Sequence, residues 1–432
     1  MIHNKNQKWL SILVVMMTLG ASWAIRGRFG HEYGAAWAGS IGVMALVLIS
    51  GRKDWLKNWL PIAAIGAIGW GMTGMISYGK VIGYGKSSDW FNASYGLLSL
   101  FLIGGLFGFL GGGLTGLMLE TSEKKKPDWA SLITQMVTGG VIFWGFLIHQ
   151  LEWFMTPPRS ELWAACLGAA FALAWFLKRN RFENAFFVAM TTMLGAGFGF
   201  GFGNFLQTMG QGMQIGINWW NVMEYSIGFF GGLGMAYGVF SRRWPVMTAL
   251  PRSASTWSAF LLFILIPVWV ISNAFEAGKI ERMAAEAAVS DFQAFSNGIY
   301  VQVFLVSIIA IGVLYYCWRQ SRTGETGKKV VLIAFVASFL WYQMLKLITS
   351  GIFGYYHWSM EELTVLNFIA VVFLIGTSRV PVPPEGVSDS VSPGKWFYRL
   401  WLVLLVLLIL LAGISSSIYE NLPGSHLRFG GE

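Results

Sequence analysis

Apolar residues in this chain run in long unbroken blocks, with polar and charged residues gathered at their ends. A helix needs about 20 mainly apolar residues to cross a bilayer core of roughly 30 Å. By that length the sequence predicts thirteen membrane-crossing helices, at 9–25, 34–50, 59–78, 94–118, 130–153, 161–177, 185–206, 223–241, 257–275, 299–318, 330–350, 364–378 and 400–418. The connections are short, so no soluble domain is expected between them. Composition agrees: 55% of residues are apolar and 12% charged, about half the roughly 25% charged share of a soluble domain. The expected class is an all-α polytopic integral membrane protein, surrounded by a lipid bilayer.

Positive charge orients the helices, because lysine and arginine in short loops are retained in the cytoplasm. The start of the chain (Lys5, Lys8) and alternate loops hold 21 of the 30 basic residues: Arg52, Lys53 and Lys57; Lys124 to Lys126; Lys178, Arg179 and Arg181; Arg242, Arg243 and Arg252; Arg319, Arg322, Lys328 and Lys329; Arg379, Lys395 and Arg399. The pattern predicts an N-in, C-out topology in a bacterial inner membrane. Loop retention accounts for the net charge of +9, so nucleic acid is not an expected partner. A second reading makes the first helix a secretory signal cut after Ser22-Trp23-Ala24, leaving twelve spans. Cys166 and Cys317 provide neither a disulfide framework nor a metal spacing, and no cofactor is expected.

Two stretches resemble each other, "YGKVIGYGKSSDWFN" (78–92) and "MGQGMQIGINWWN" (209–221), each leading into a glycine-paired helix. Four spans separate them, so a duplication would be a parallel repeat. It divides the chain into units 1–120, 121–255 and 256–432, the last a C-terminal group of five more conventional helices. In "LGAGFGFGFGNF" (194–205), Gly195, Gly199 and Gly203 form one helical stripe and Gly197 and Gly201 another. Such stripes allow close helix packing; alternatively they mark a broken helix lining a cavity. Asn204, Gln207, Gln211, Gln214, Asn218, Asn221 and Glu224 follow, and this amide-rich segment is expected to re-enter or fold into a protein-lined cavity.

The stretch "WAIRGRFGHEYG" (23–34) puts Arg26, Arg28, His31 and Glu32 between two apolar blocks. Charges held at that depth turn toward one another or toward water. Arg26 or Arg28 paired with Glu32 or Glu224 would fasten helices. Alternatively the two guanidiniums, with Lys80 or Lys86, form an anion site, since the arginine fork binds carboxylate, phosphate or sulfate bidentately. His31, Glu32 or Glu224 would then carry a coupling proton. Asp89, His149, Glu152, His357, Glu361 and Glu362 reach the same face. Trp37, Trp90, Trp219 and Trp220 would stack on a substrate ring or form an interfacial belt.

Three functions fit. The favoured one is an ion-coupled secondary transporter of a small anionic or polar organic solute such as a sugar acid, binding through Arg26, Arg28, Lys80, Asn204, Gln207, Gln211, Asn218, Trp219 and Asn221. The second is a membrane-embedded transferase or hydrolase acting on a lipid-linked or acyl substrate, with His31 as general base assisted by Glu32. The third is a structural subunit of a membrane complex, whose partner would be another chain or a second copy. The segment 274–298 has the spacing of a short amphipathic surface helix serving as lid or partner contact, and 379–395 reads as a Pro-Ser linker.

Overall fold

The computed structural model describes residues 2–323, 326–349, 361–377, 394–420 and 422–430. Most of them are helical, with no strand among the described residues. In order the helices are α1 (Ile2–Arg26), α2 (His31–Ser50), α3 (Lys53–Lys57), α4 (Trp59–Gly74), α5 (Gly79–Gly85), α6 (Trp90–Leu119), α7 (Trp129–Trp144), α8 (Leu162–Arg179), α9 (Glu183–Gly212), α10 (Trp219–Phe240), α11 (Arg252–Phe260), α12 (Ile266–Ala274), α13 (Ala277–Glu286), α14 (Phe292–Arg322), α15 (Lys328–Thr349), α16 (Glu361–Thr377) and α17 (Lys395–Ile418). A single π turn, Gly145–Gln150, extends α7, and another, Leu261–Leu265, joins α11 to α12.

This is the architecture of a helical multi-pass membrane protein. Each of the thirteen apolar windows falls on helix, yet among the described residues ten helices are long and apolar enough to cross a membrane, or eleven if a bent pair counts as one. The third window is that pair. Instead of continuing to residue 78, α4 stops at Gly74, and α5 leaves at 68° to it. A side chain at Gly74 would run into His31 O and, at 2.7 Å, Glu32 Cα, so α4 ends hard against the start of α2. Helix α10 carries Glu224 and many glycines, and the apolar part of α16 spans only Leu363–Thr377.

Six helices close a ring: α1 packs on α2, α2 on α4, α4 on α6, α6 on α9, α9 on α10, and α10 back on α1. Helices α7 and α8 form a hairpin beside it, while α15, α16 and α17 lie against α2, α1 and the α6–α9 pair respectively. The pairing of α1 with α10 has no comparable counterpart between α7 and α6. Glycine builds the ring walls. Methyl groups at Gly195 and Gly199 would strike Phe230 O and Ser226 O of α10, and one at Gly203 would lie 2.8 Å from Met223 O. On the adjacent stripe, Gly197 faces Phe101 O of α6 at 2.7 Å. The stripes therefore seat backbone on backbone, and α9 is continuous, contrary to a broken-helix reading. The break belongs to the third span.

Contacts sort the connections into two sets at opposite ends of the bundle, following the charge alternation. At one end Arg52 donates to Trp244 O (3.2 Å) and Pro245 O (2.8 Å) and pairs with Asp54, which accepts from Met247 N (2.8 Å). Burial alone would raise the Asp54 carboxyl, but the Arg52 hydrogen bonds and the Met247 amide hold it below its ordinary value. At the other end lie Arg28, α5, α13 and the chain's final residues. Helix α13 is the expected short surface helix, with Ile280, Met283 and Ala284 buried. The linker lies outside the described residues except at its end, and His357 lies outside them.

Candidate functional site

An aromatic layer fills the ring. Trp23 of α1 meets Trp70 of α4 edge-on at 5.1 Å and Phe107 of α6 at 5.6 Å; Phe107 stacks on Phe200 of α9 at 6.0 Å, and Phe200 meets Tyr78 at 5.0 Å. At the Tyr78 edge of this layer sits a charged group. Arg26, the last residue of α1, is 1% exposed and Glu224 of α10 is 0% exposed. Arg26 Nη2 lies 2.9 Å from Glu224 Oε2 and 3.2 Å from Oε1. Tyr78 completes a triangle, its hydroxyl accepting from Arg26 Nη2 (2.8 Å) and donating to Glu224 Oε1 (2.8 Å). The guanidinium also lies 4.6 Å from the Trp23 ring centre, a cation–π contact.

Tyr78 stands in the bend between α4 and α5, so the broken third span places its hydroxyl on the ion pair. Sequence reasoning quoted its stretch but gave it no role, because nothing local predicts that the helix stops at Gly74. Arg26 Nε, Trp23 Nε1 and Trp70 Nε1 are buried donors without an acceptor among the described residues. The His31 ring meets Tyr78 edge-on at 5.1 Å, and Arg159, from the α7–α8 connection, is near enough for its charge to act on that ring. Arg159 was also missed, its partner being 128 residues away in sequence.

The expected site residues divide into four groups. Arg26 and Glu224 are the buried pair; Arg28, His31 and Glu32 are exposed at the bundle end, and Lys80 is half-buried on α5. Asn204 and Gln207, buried on α9, brace α5: Asn204 Nδ2 donates to Gln207 Oε1 (3.2 Å) and reaches Ile82 O (3.5 Å). A side chain at Gly85 would collide with Asn204 Oδ1, which has no hydrogen-bond partner. Lys86 is buried just beyond α5, and desolvation lowers its pKa.

The remaining amides are arranged otherwise than expected. Residues 213–218 form an exposed turn, so the segment does not re-enter the bundle. Asn218 caps α10, accepting from the backbone N–H of buried Asn221 (3.3 Å), as Asp89 caps α6 through Asn92 N (2.7 Å). The two Trp-aromatic-Asn stretches are thus capped helix starts of one kind. Trp219 closes the turn, its ring lying on Gly210 and its Nε1 donating to Ile215 O (2.9 Å). Gln211 is half-buried near the end of α9. Trp37 packs inside the bundle against Trp341 and Tyr342 rather than in a belt.

A cavity of about 740 Å³ opens at the opposite end, lined by Glu120, Lys124, Lys125, Arg181, Glu183 and Asn184. Three of its charged groups fasten loops: Lys125 Nζ pairs with Glu120 (2.9 Å) and donates to Arg181 O (2.6 Å), and Glu183 pairs with Lys178 (2.9 Å). Burial leaves the Glu120 carboxyl above its ordinary value despite the Ala185 amide and Lys125. Among the described residues no group of three or more His, Cys, Asp or Glu side chains is placed to hold a metal ion, and both cysteines are free and buried. Comparisons with protein-family models, curated proteins and solved structures find no match to this chain.

Proposed function

We propose that the chain is a secondary transporter of a small anionic or polar organic solute, a sugar acid being the representative case, working in a bacterial inner membrane with its N-terminus inside. The observation that carries this reading is the Arg26–Tyr78–Glu224 triangle, fully buried and closed by a residue in the break of a membrane helix. Ionisable groups inside a membrane domain are costly and mark pathways or relays. Discontinuous helices beside buried charge are a recurrent transporter device.

The triangle supports a coupling logic. A solute carboxylate that takes Arg26 leaves Glu224 without its counter-charge in an apolar ring, and Glu224 then binds a proton. One anion entering with one proton leaves the buried charge unchanged. Arg26 Nε is a donor without an acceptor among the described residues, and Arg28 and Arg159 give the adjoining bundle end a positive approach. The burial of the pair supports reading this conformation as an occluded resting state.

The completeness of the Arg26–Glu224 pair favours one competing reading, that it only fastens α1 to α10. Thermal unfolding of the detergent-purified protein separates the two. The panel is acetate, gluconate, glucuronate, phosphate and sulfate, tested on wild type, Arg26→Gln and Arg28→Gln. A solute at 100 times its Kd stabilises by about 2.7 kcal/mol. Transport predicts a shift for one anion class that disappears in Arg26→Gln; a fastener predicts no shift for any anion.

A further inference from the structure

The chain's final described residues return to the broken helix. Pro423 and Gly424 turn the backbone, Gly424 at a φ of +78° that favours glycine, and residues 425–429 then run across α5 and the start of α6. His426 N donates to Gly83 O (3.0 Å), one of the carbonyls at the end of α5. Gly83 permits this approach: a Cβ there would lie 2.7 Å from Gly424 O and would collide with the His426 ring.

Asn92, buried in the first turn of α6, grips the segment by its backbone. Its Oδ1 accepts from Arg428 N (2.6 Å) and Phe429 N (2.9 Å), and its Nδ2 donates to Phe429 O (3.0 Å) and to Asp89 Oδ1 (2.6 Å). The carboxamide thereby presents a donor and an acceptor as the edge of a β-strand would. The Phe429 ring sits against Phe91 (5.0 Å) and Tyr95 (5.2 Å), and Arg428 Nη2 donates to Phe154 O (2.8 Å) in the α7–α8 connection.

Leu427 and Phe429 are 49% and 41% exposed, so the segment lies on the surface and is held by a few hydrogen bonds and the two aromatic contacts of Phe429. Such an element opens locally at far lower cost than the bundle unfolds. What it holds is α5, the seven-residue half-helix whose preceding bend carries Tyr78. We infer that residues 425–429 are a releasable strap that clamps α5 and so keeps Tyr78 on the Arg26–Glu224 pair. Release frees α5 to swing on the bend and to withdraw the hydroxyl from the charges. The clamp on α5 stands on the contacts alone; its effect on solute flux rests on the transport reading above.

Hydrogen exchange on the full-length protein tests the strap without requiring a solute. The probes are the amides of Ile82 in α5 and of Lys86 and Ser87 at its end, bonded to Tyr78 O, Gly83 O and Tyr84 O. The strap is released from its own side by Phe429→Ala, at an exposed residue whose loss leaves the bundle core intact, and from the docking side by Asn92→Ala. In both variants these amides should exchange faster by about tenfold or more while the α6 and α9 amides are unchanged. Exchange in α5 within twofold of wild type in both variants overturns the strap. Faster exchange in α5 with no flux of any panel anion leaves the strap standing and removes the transport reading.

Discussion

Replacing the buried charges singly and together is the sharpest energetic test of the triangle. With Glu224→Leu, the Arg26 guanidinium keeps only the Tyr78 hydroxyl, a long contact to His31 O (3.4 Å) and the Trp23 face. Arg26→Met leaves the Glu224 carboxylate with only the Tyr78 hydroxyl as donor. An uncompensated charge in such a site costs roughly 3–5 kcal/mol, so each single variant should lose about that much. The double variant buries no charge and orphans only the Tyr78 hydroxyl, worth about 1–3 kcal/mol. Adding Tyr78→Phe should recover most of that, bringing the triple variant near wild type. The single losses should therefore exceed the double by about 5 kcal/mol of coupling. Equilibrium unfolding in mixed micelles, followed by tryptophan fluorescence, measures all four. Single losses below about 1 kcal/mol that simply add would show that the pair is hydrated in the membrane, and would refute the buried-triangle reasoning.

Three further outcomes follow from the geometry. Tyr78→Phe alone leaves Arg26 and Glu224 paired but removes one donor and one acceptor; it should cost about 1–2 kcal/mol in the same unfolding assay and weaken anion-induced stabilisation without abolishing it. Gly108→Ala on α6 drives a methyl into Thr192 O of α9 and should cost about 1–3 kcal/mol, whereas Gly312→Ala on α14, which meets open space, should be neutral or stabilising by up to about 1 kcal/mol. The pKa of Asp54 is lower folded than unfolded, so its contribution is present above the ordinary value of 3.8 and lost as pH falls through the folded value. Asp54→Asn should accordingly flatten the acid limb of a stability-versus-pH curve measured from pH 6 to 3.

The membrane class was legible because burial in lipid demands long apolar blocks, and among the described residues each of the thirteen blocks falls on helix. The alternate grouping of connections was legible from lysine and arginine, and Arg52–Trp244 and His426–Gly83 join connections within the same set. The Arg26–Glu224 pairing was one of four combinations the sequence offered, and only packing of α1 against α10 selects it. What escaped was positional. The end of α4 at Gly74 lies hard against the backbone of α2, a tertiary contact invisible in an apolar run that continues to residue 78. The amides from Asn204 to Asn221 read as a re-entrant segment, yet their tasks are local: Asn218 caps a helix, Trp219 closes a turn, and of the amides Asn204, Gln207 and Asn221 are buried. Amide composition carries no information on which way each side chain points. The strap was hidden for a related reason, since "GSHLRFGG" is held through its backbone by a distant Asn92.

Proton-coupled uptake in proteoliposomes tests the central claim most directly. Protein reconstituted into vesicles holding a pH-sensitive dye is exposed to inward gradients of gluconate, glucuronate, acetate, phosphate or sulfate, each at matched external pH, beside protein-free vesicles. The account predicts protein-dependent acidification with one anion class, lost in Arg26→Gln and in Glu224→Gln. Acidification by none of these anions, or acidification that survives Glu224→Gln, contradicts it.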